Sequence, residues 1–282
     1  MNGESLYRVR ARNTSADSEN RIHDAAVAEK FGFRGGLVPG VTVYGYMTVP
    51  IVARFGMSYL ERGSMQVRFH QPFYEGDQVT VRAEADASSL PVKIAVTAER
   101  EGGTVCATGH ATVDDASDWL GQSRIEDYPR AALPAAGERP VASSECFLPG
   151  SILGTVSERI DRAQAELLES IEDPLPVYYG ADAVAHPAVL LSLSNQILMQ
   201  NYRLGPWIHA ASDLINLGAA RADEVIEARG RVRECFERKG HEFVVYDVLL
   251  LAGGGRVIQR VRHTAIFRPK IKSGDAGQAV DQ

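Results

Sequence analysis

Two stretches of this chain, one in each half, read as helices with apolar residues on every side. They are Val41 to Ala53 (VTVYGYMTVPIVA) and most of Ala188 to Tyr202 (AVLLSLSNQILMQNY). A helix of that kind has no face to give to water and must be surrounded by other structure. Each is followed by period-2 segments that predict strands. In the first half these are Met65 to His70, Gln78 to Glu84, Lys93 to Glu99 and Thr104 to Val113. In the second half they are Trp207 to Leu214, Glu224 to Glu237, Glu242 to Leu251 and Arg256 to Phe267. Each half also opens on a strand-like run, Leu6 to Arg12 and Ile152 to Arg159.

The halves echo each other in detail. Asp77-Gln78-Val79-Thr80 matches Asp223-Glu224-Val225-Ile226, and His110-Ala111-Thr112 matches His263-Thr264-Ala265. Gly102-Gly103 and Gly253-Gly254-Gly255 supply the positive φ of tight hairpin connections. The pattern predicts an α+β tandem duplication, each unit an antiparallel sheet curled around one buried helix. Paired edge to edge, the two units would bury sheet edges that otherwise invite aggregation. The expected boundaries are 1–130 for the first unit, 131–144 for a Pro/Ala-rich linker and 145–271 for the second unit, with a frayed tail over 272–282.

Composition narrows the function classes. Of 282 residues, 45% are hydrophobic and 23% charged, enough apolar material for a large core. Lys plus Arg is 30 against 36 for Asp plus Glu, a net charge of -6 that argues against a nucleic-acid partner. Cys106, Cys146 and Cys235 are far apart and form no CxxC pair, so neither a disulfide framework nor a metal site is expected. The N-terminus has no apolar core of the signal-peptide kind. The longest uncharged stretch, Ala183 to Tyr202, holds too many polar residues for a lipid-facing span, so no membrane partner is expected. A cytoplasmic location is the expectation. There is no Gly-x-Ser-x-Gly elbow, P-loop or dinucleotide glycine fingerprint.

The chemistry is concentrated between Ser18 and Val41 (SENRIHDAAVAEKFGFRGGLVPGV). Asp24 can cap a short helix over Ala25 to Phe31, which Gly32 ends. Gly35-Gly36-Leu37-Val38-Pro39-Gly40 then leads into the first buried helix. Glycines at a helix mouth leave backbone N–H groups open to a carbonyl oxygen that gains negative charge. A histidine nearby, His23, could move a proton to or from the adjoining carbons.

Asn20-Arg21-Ile22-His23, then Gly32-Phe33, Gly36 and Pro39-Gly40, resembles the MaoC-like hydratase/dehydratase family, the (R)-specific enoyl-thioester hydratases of the hot-dog superfamily. The resemblance is close over residues 18–41. It implies a double hot-dog fold and catalysis on an acyl thioester of coenzyme A or an acyl carrier protein, with no dissociable cofactor. His23 matches the family's catalytic histidine and Asn20 its motif asparagine. Gly40 matches the glycine whose N–H polarises the thioester carbonyl, with Gly36, Val38, Pro39 and Tyr44 as further substrate contacts. The sequence departs from the family at three places: Arg21 replaces a proline, Pro39 a histidine, and Ser18 the catalytic aspartate. Ser18 or Asp17 would have to assist His23, or a bulge would have to bring in Asp17 or Glu19.

Three functions compete on this basis: a hydro-lyase on enoyl or 3-hydroxyacyl thioesters, a hot-dog thioesterase, and a non-catalytic acyl-thioester binder. In the second half, His186 is expected to satisfy a helix end. The resemblance implies that this half shapes an acyl tunnel, with Leu190, Leu193, Ile197 and Tyr202 as candidate lining. Trp207 and His209 share one side of a strand, read first as an anchored strand start and second as a border of the site. His70, His110, His241 and His263 have no ligand spacing. Arg229, Arg231, Arg233, Arg260 and Arg262 read as a solvated sheet face or as contacts to coenzyme A phosphates. The outer sheet edges would suit a homodimer.

Overall fold

The computed structural model describes residues 3–86, 88, 90–114 and 124–271. The expected tail over 272–282 lies outside the described residues. The first half runs β1 (Gly3–Arg10), α1 (Ala25–Lys30), α2 (Gly40–Phe55), α3 (Met57–Arg62), β2 (Ser64–Phe69), β3 (Gln78–Asp86), β4 (Val92–Arg100) and β5 (Thr104–Val113). The second runs β6 (Ile152–Arg159), α4 (Asp161–Ile171), α5 (Pro187–Asn201), β7 (Ile208–Asn216), β8 (Val225–Arg238), β9 (His241–Ala252) and β10 (Arg256–Arg268).

The ten strands of the described residues form one antiparallel sheet in the order β1-β3-β4-β5-β2-β7-β10-β9-β8-β6. Counted within its own half, each unit has its strands in the order 1-3-4-5-2, and the units meet through their second strands. The seam pairs Ser64 with Ile215, Met65 with Leu214 and Gln66 with Asp213. This is a double hot-dog, and the duplication expected from the sequence is present in the topology. Gly102 and Gly103 (φ 87° and 80°) turn β4 into β5, and Gly254 and Gly255 (φ 75° and 85°) turn β9 into β10.

The buried helices follow from the absence of charge. In α2 every residue from Val41 to Val52 is buried. The helices α2 and α5 approach so closely that a Cβ on Gly45 would lie 3.2 Å from that of Ala188. The sheet wraps both, and its strands alternate buried and outward positions, as β3 does over nine residues. At the end of α5, the Asn201 amide exchanges hydrogen bonds with the Gly154 N–H (2.7 Å) and C=O (3.1 Å), tying that helix to β6.

Residues 131–144 carry little regular structure, but they are not a loose spacer. The Thr155 N–H donates to Ala131 O (2.9 Å), the Ala142 N–H to Arg203 O (2.9 Å) and the Arg203 N–H to Pro140 O (2.8 Å). Among the described residues, no helix is long and apolar enough to cross a membrane, and no group of three or more His, Cys, Asp or Glu is placed to hold a metal ion.

Candidate active site

The loop before α1 is built around Asn20, which is 5% exposed. Its Oδ1 accepts from the Ile22 N–H (3.3 Å) and from the Trp207 N–H (3.1 Å). Its Nδ2 donates to Trp207 O (3.0 Å) and lies 3.3 Å from His23 Nε2. One buried amide therefore ties the motif loop of the first half to the entry of β7 in the second. Asp24 caps α1 through the Val27 N–H (3.0 Å), and Gly32 at φ 85° follows its end, as the sequence predicts.

The tautomer of His23 follows from its partners. Its Nδ1 is 2.6 Å from Leu37 O, and a carbonyl only accepts, so Nδ1 carries the proton. In the neutral ring Nε2 is then the bare nitrogen, and it receives the long bond from Asn20. Burial pushes the His23 pKa below its ordinary value, opposed by the Leu37 carbonyl. The ring therefore stays a neutral base through neutral pH.

The Leu37 carbonyl is held in turn. The Leu37 N–H donates to Ile22 O (3.3 Å) and the Val38 N–H to Phe73 O (2.9 Å), so residues 37–38 thread between the motif loop and the chain after β2. Gly36 makes this threading sterically feasible. A Cβ there would fall 2.8 Å from the His23 carbonyl carbon and 3.0 Å from Asn13 Nδ2, and closer still to the His23 carbonyl oxygen.

His23 opens onto a cavity of about 270 Å³. From the first half it is lined by Asn20, Val38, Pro39, Gly40 and Phe69, among others. The second half contributes Asn195, Trp207, Ile208, His209, His241 and Ile266. Gly40 is the first residue of α2, whose first helical bond runs from the Val43 N–H to Pro39 O (3.1 Å). The N–H groups of Gly40 and Val41 thus precede any helical acceptor. The wall holds no Asp, Glu, Lys or Arg.

Of the residues singled out in the sequence, His23, Asn20, Val38, Pro39 and Gly40 come together here. Others do not reach the cavity. Tyr44 is fully buried in the core beside Tyr59 and Tyr178, one turn further along α2 than Gly40, and does not line the cavity. Gly36 serves the backbone contact described above. The Ser18 hydroxyl donates to Asn20 O (3.3 Å), Asp17 is exposed, and Glu19 pairs with Arg139 (3.0 Å). None of the three presents an oxygen to the cavity, so no bulge replaces the missing carboxylate.

In the second half, His186 caps α5 as expected, its Nδ1 accepting from the Ala188 N–H (3.1 Å) and its Nε2 donating to buried Asp173 (3.3 Å). Leu190, Leu193, Ile197 and Tyr202 are core residues rather than lining. Asn195, Trp207 and His209 form the wall instead, and the border reading of the last two is the one the structure supports. Arg229 pairs with Glu227, and Arg233 and Arg262 with Asp247 (both 2.9 Å), on the sheet face.

These features define a double hot-dog protein with one open helix mouth facing a histidine. A MaoC domain protein dehydratase from Chloroflexus aurantiacus J-10-fl is similar in structure, with a TM-score of 0.69 at 8% identity over 96% of both chains. A conserved hypothetical protein from Mycobacterium tuberculosis, described as having a double hotdog fold, reaches 0.65 at 12% identity, covering 94% of this chain and 96% of that one. A MaoC-like dehydratase reaches 0.60 at 16% identity, over 93% of this chain and 98% of that one. No family model matches the sequence, and no curated protein is detectably similar to it.

Proposed function

We propose that the chain binds acyl thioesters of coenzyme A or an acyl carrier protein and interconverts 3-hydroxyacyl and enoyl thioesters, as a hydratase/dehydratase of the MaoC-like kind. The observation that carries this is the neutral His23, fixed as the Nδ1–H tautomer by Leu37 O, on the same cavity wall as the unpaired N–H of Gly40. With a 3-hydroxyacyl thioester bound, Nε2 of His23 takes the proton from Cα. The electron pair moves onto the thioester oxygen, which the Gly40 N–H stabilises. As the enolate collapses, the C–O bond at Cβ breaks, and the departing hydroxyl takes the proton back from the imidazolium and leaves as water. One group thus moves one proton twice. The Leu37 carbonyl, bonded to the Nδ1–H, holds the ring in both protonation states, and the long bond from Asn20 to Nε2 gives way when that nitrogen takes the proton. In this proposal the unit over 1–130 supplies the chemistry and the unit over 145–271 supplies the facing wall. Three free thiols, on Cys106, Cys146 and Cys235, suit a cytoplasmic setting.

The test is hydration of crotonyl-CoA and longer enoyl-CoAs, followed by loss of the enoyl absorbance, in the wild type and in His23→Ala. Absence of turnover at every chain length, or an unimpaired variant, overturns the proposal. A second reading, an acyl-thioester binder without turnover, is supported by the lack of any carboxylate in the cavity wall. Calorimetric binding of acyl-CoA with no turnover selects it. The same lack counts against hydrolysis by a carboxylate aimed at the thioester carbon, and thiol release from an acyl-CoA panel tests that directly.

A further inference from the structure

Behind the mouth of α2 lies a polar cluster that the reaction above does not use. His209, on β7, is 6% exposed and lines the cavity. Its Nε2 is 2.8 Å from Ser212 Oγ, which is 2.9 Å from Nδ1 of His263 on β10. Ser212 and His263 are 1% and 0% exposed. The two rings stack at 4.1 Å, and Phe69 packs edge-on against His209 at 4.7 Å. Two atoms of this His209–Ser212–His263 cluster have no hydrogen-bond partner: Nδ1 of His209, at its cavity end, and Nε2 of His263, at its inner end. Nδ1 of His209 sits against the helix mouth, since a Cβ on Gly40 would lie 2.8 Å from it.

We infer that His209 is a second hydrogen-bond donor, beside the Gly40 N–H, to the oxygen of a bound thioester as it gains enolate charge, with Ser212 and His263 setting its tautomer. This rests on the thioester reading of the cavity. The argument compares two proton arrangements. In one, His209 donates from Nε2 to Ser212, which donates to His263 Nδ1. That places the second proton of His263 on Nε2, as an N–H with no acceptor in the core. In the other, His263 donates from Nδ1 to Ser212, which donates to His209 Nε2. The unpartnered inner atom is then a bare lone pair, and the unpartnered cavity atom is an N–H on His209. Each arrangement leaves one N–H without an acceptor, but a ligand oxygen can reach only the one on His209, so the second arrangement is favoured in the complex, where no N–H is then orphaned. A ligand oxygen at the mouth satisfies its one free donor. Burial keeps both rings neutral, pushing His209 down to about 3 and His263 well below its ordinary value, the latter with help from His209. The choice of tautomer therefore decides whether the cavity meets a donor or a lone pair.

The experiment titrates acetoacetyl-CoA, whose enolate has its own near-ultraviolet band, into the wild type, His209→Leu and His209→Asn, with melting curves for each. The wild type should bind and show the enolate band. His209→Leu should lose the band and, where turnover is measurable, about 10²–10³ in kcat with a smaller change in KM. His209→Asn, which keeps an N–H near the same place, should recover much of both. Binding with no enolate band, or a band retained by His209→Leu, overturns the inference while leaving thioester binding and His23 chemistry standing. Failure of acetoacetyl-CoA to bind at all overturns the thioester reading and this inference with it. Should His209→Leu not fold, nitrogen NMR of histidine-labelled wild type decides the point: a protonated Nδ1 on His209 in the complex supports it, and a bare one overturns it.

Discussion

Replacing Gly36 with alanine should disable the site from a position outside the cavity wall. The added Cβ would lie 2.8 Å from the His23 carbonyl carbon and 3.0 Å from Asn13 Nδ2. Ordinary contact between non-bonded heavy atoms is about 3.5–4.0 Å, so one backbone segment must retreat by roughly 0.7 Å or more. The retreat also strains the bond from Asn13 Nδ2 to His23 O (2.8 Å), which braces the motif loop. Overpacking of this kind costs about 1–3 kcal/mol and a lost hydrogen bond about 1 kcal/mol. At about 2.1 cal/mol/K per residue, 2–4 kcal/mol lowers the melting temperature of this chain by about 3–7 °C. A displacement near 1 Å at a reacting group costs about 10²-fold in rate. Gly35→Ala is the matched control, because its Cβ would meet Tyr74 at an ordinary 3.7 Å and its φ is not positive. Calorimetric melting and crotonyl-CoA hydration on the two variants check this. Equal behaviour of Gly36→Ala and Gly35→Ala would refute the claim that backbone contact at Gly36 sets the position of His23.

Further outcomes follow from the same geometry. His23→Ala should lower kcat by about 10²–10⁴, with a melting temperature lowered by only a few degrees through the bond lost at Leu37 O. Since burial lowers the His23 pKa, the acid limb of kcat/KM should fall below pH 6.5, with a plateau above it. Asn20→Ala should destabilise by about 2 kcal/mol or more in urea unfolding, because it strips the Trp207 N–H and C=O of their buried partner. The chain should also melt at lower temperature at pH 5 than at pH 7.5. His186, His209 and His263 are buried with lowered pKa values, whereas unfolded imidazoles take up protons below about 6.5, so stability falls as pH falls through that value. For His209, at about 3, the loss at pH 5 is about 2 kcal/mol. A flat melting curve between the two pH values contradicts this.

Patterns confined to one segment were visible in the sequence, and those made by distant pairing were not. The helices α2 and α5 follow from uncharged runs, and β5 and β6 have the predicted bounds because alternation alone defines them. The helix α4 carries no comparable signal, since Asp161 to Ile171 has only a narrow apolar stripe amid charged residues. In the site, the loop from Asn20 to Gly40 is local and carried its own signature. The opposite wall depends on the pairing of β2 with β7, which no short-range spacing reveals. Asn195 gave no distinct signal, because α5 also carries Gln196, Gln200 and Asn201 and the sequence does not say which amide faces the cavity. Tyr44 misled because a helix apolar all round gives no clue to which side faces the mouth.

A duplicated chain of this design has two helix entrances and keeps one of them open. At the second, His186 and Asp173 supply from within the protein the hydrogen bonds that a visitor would otherwise provide, and Tyr178 packs over the imidazole at 4.4 Å. Saturation should therefore come at one equivalent of thioester per polypeptide, and the stoichiometry of any assembly would count chains, not hot-dog units.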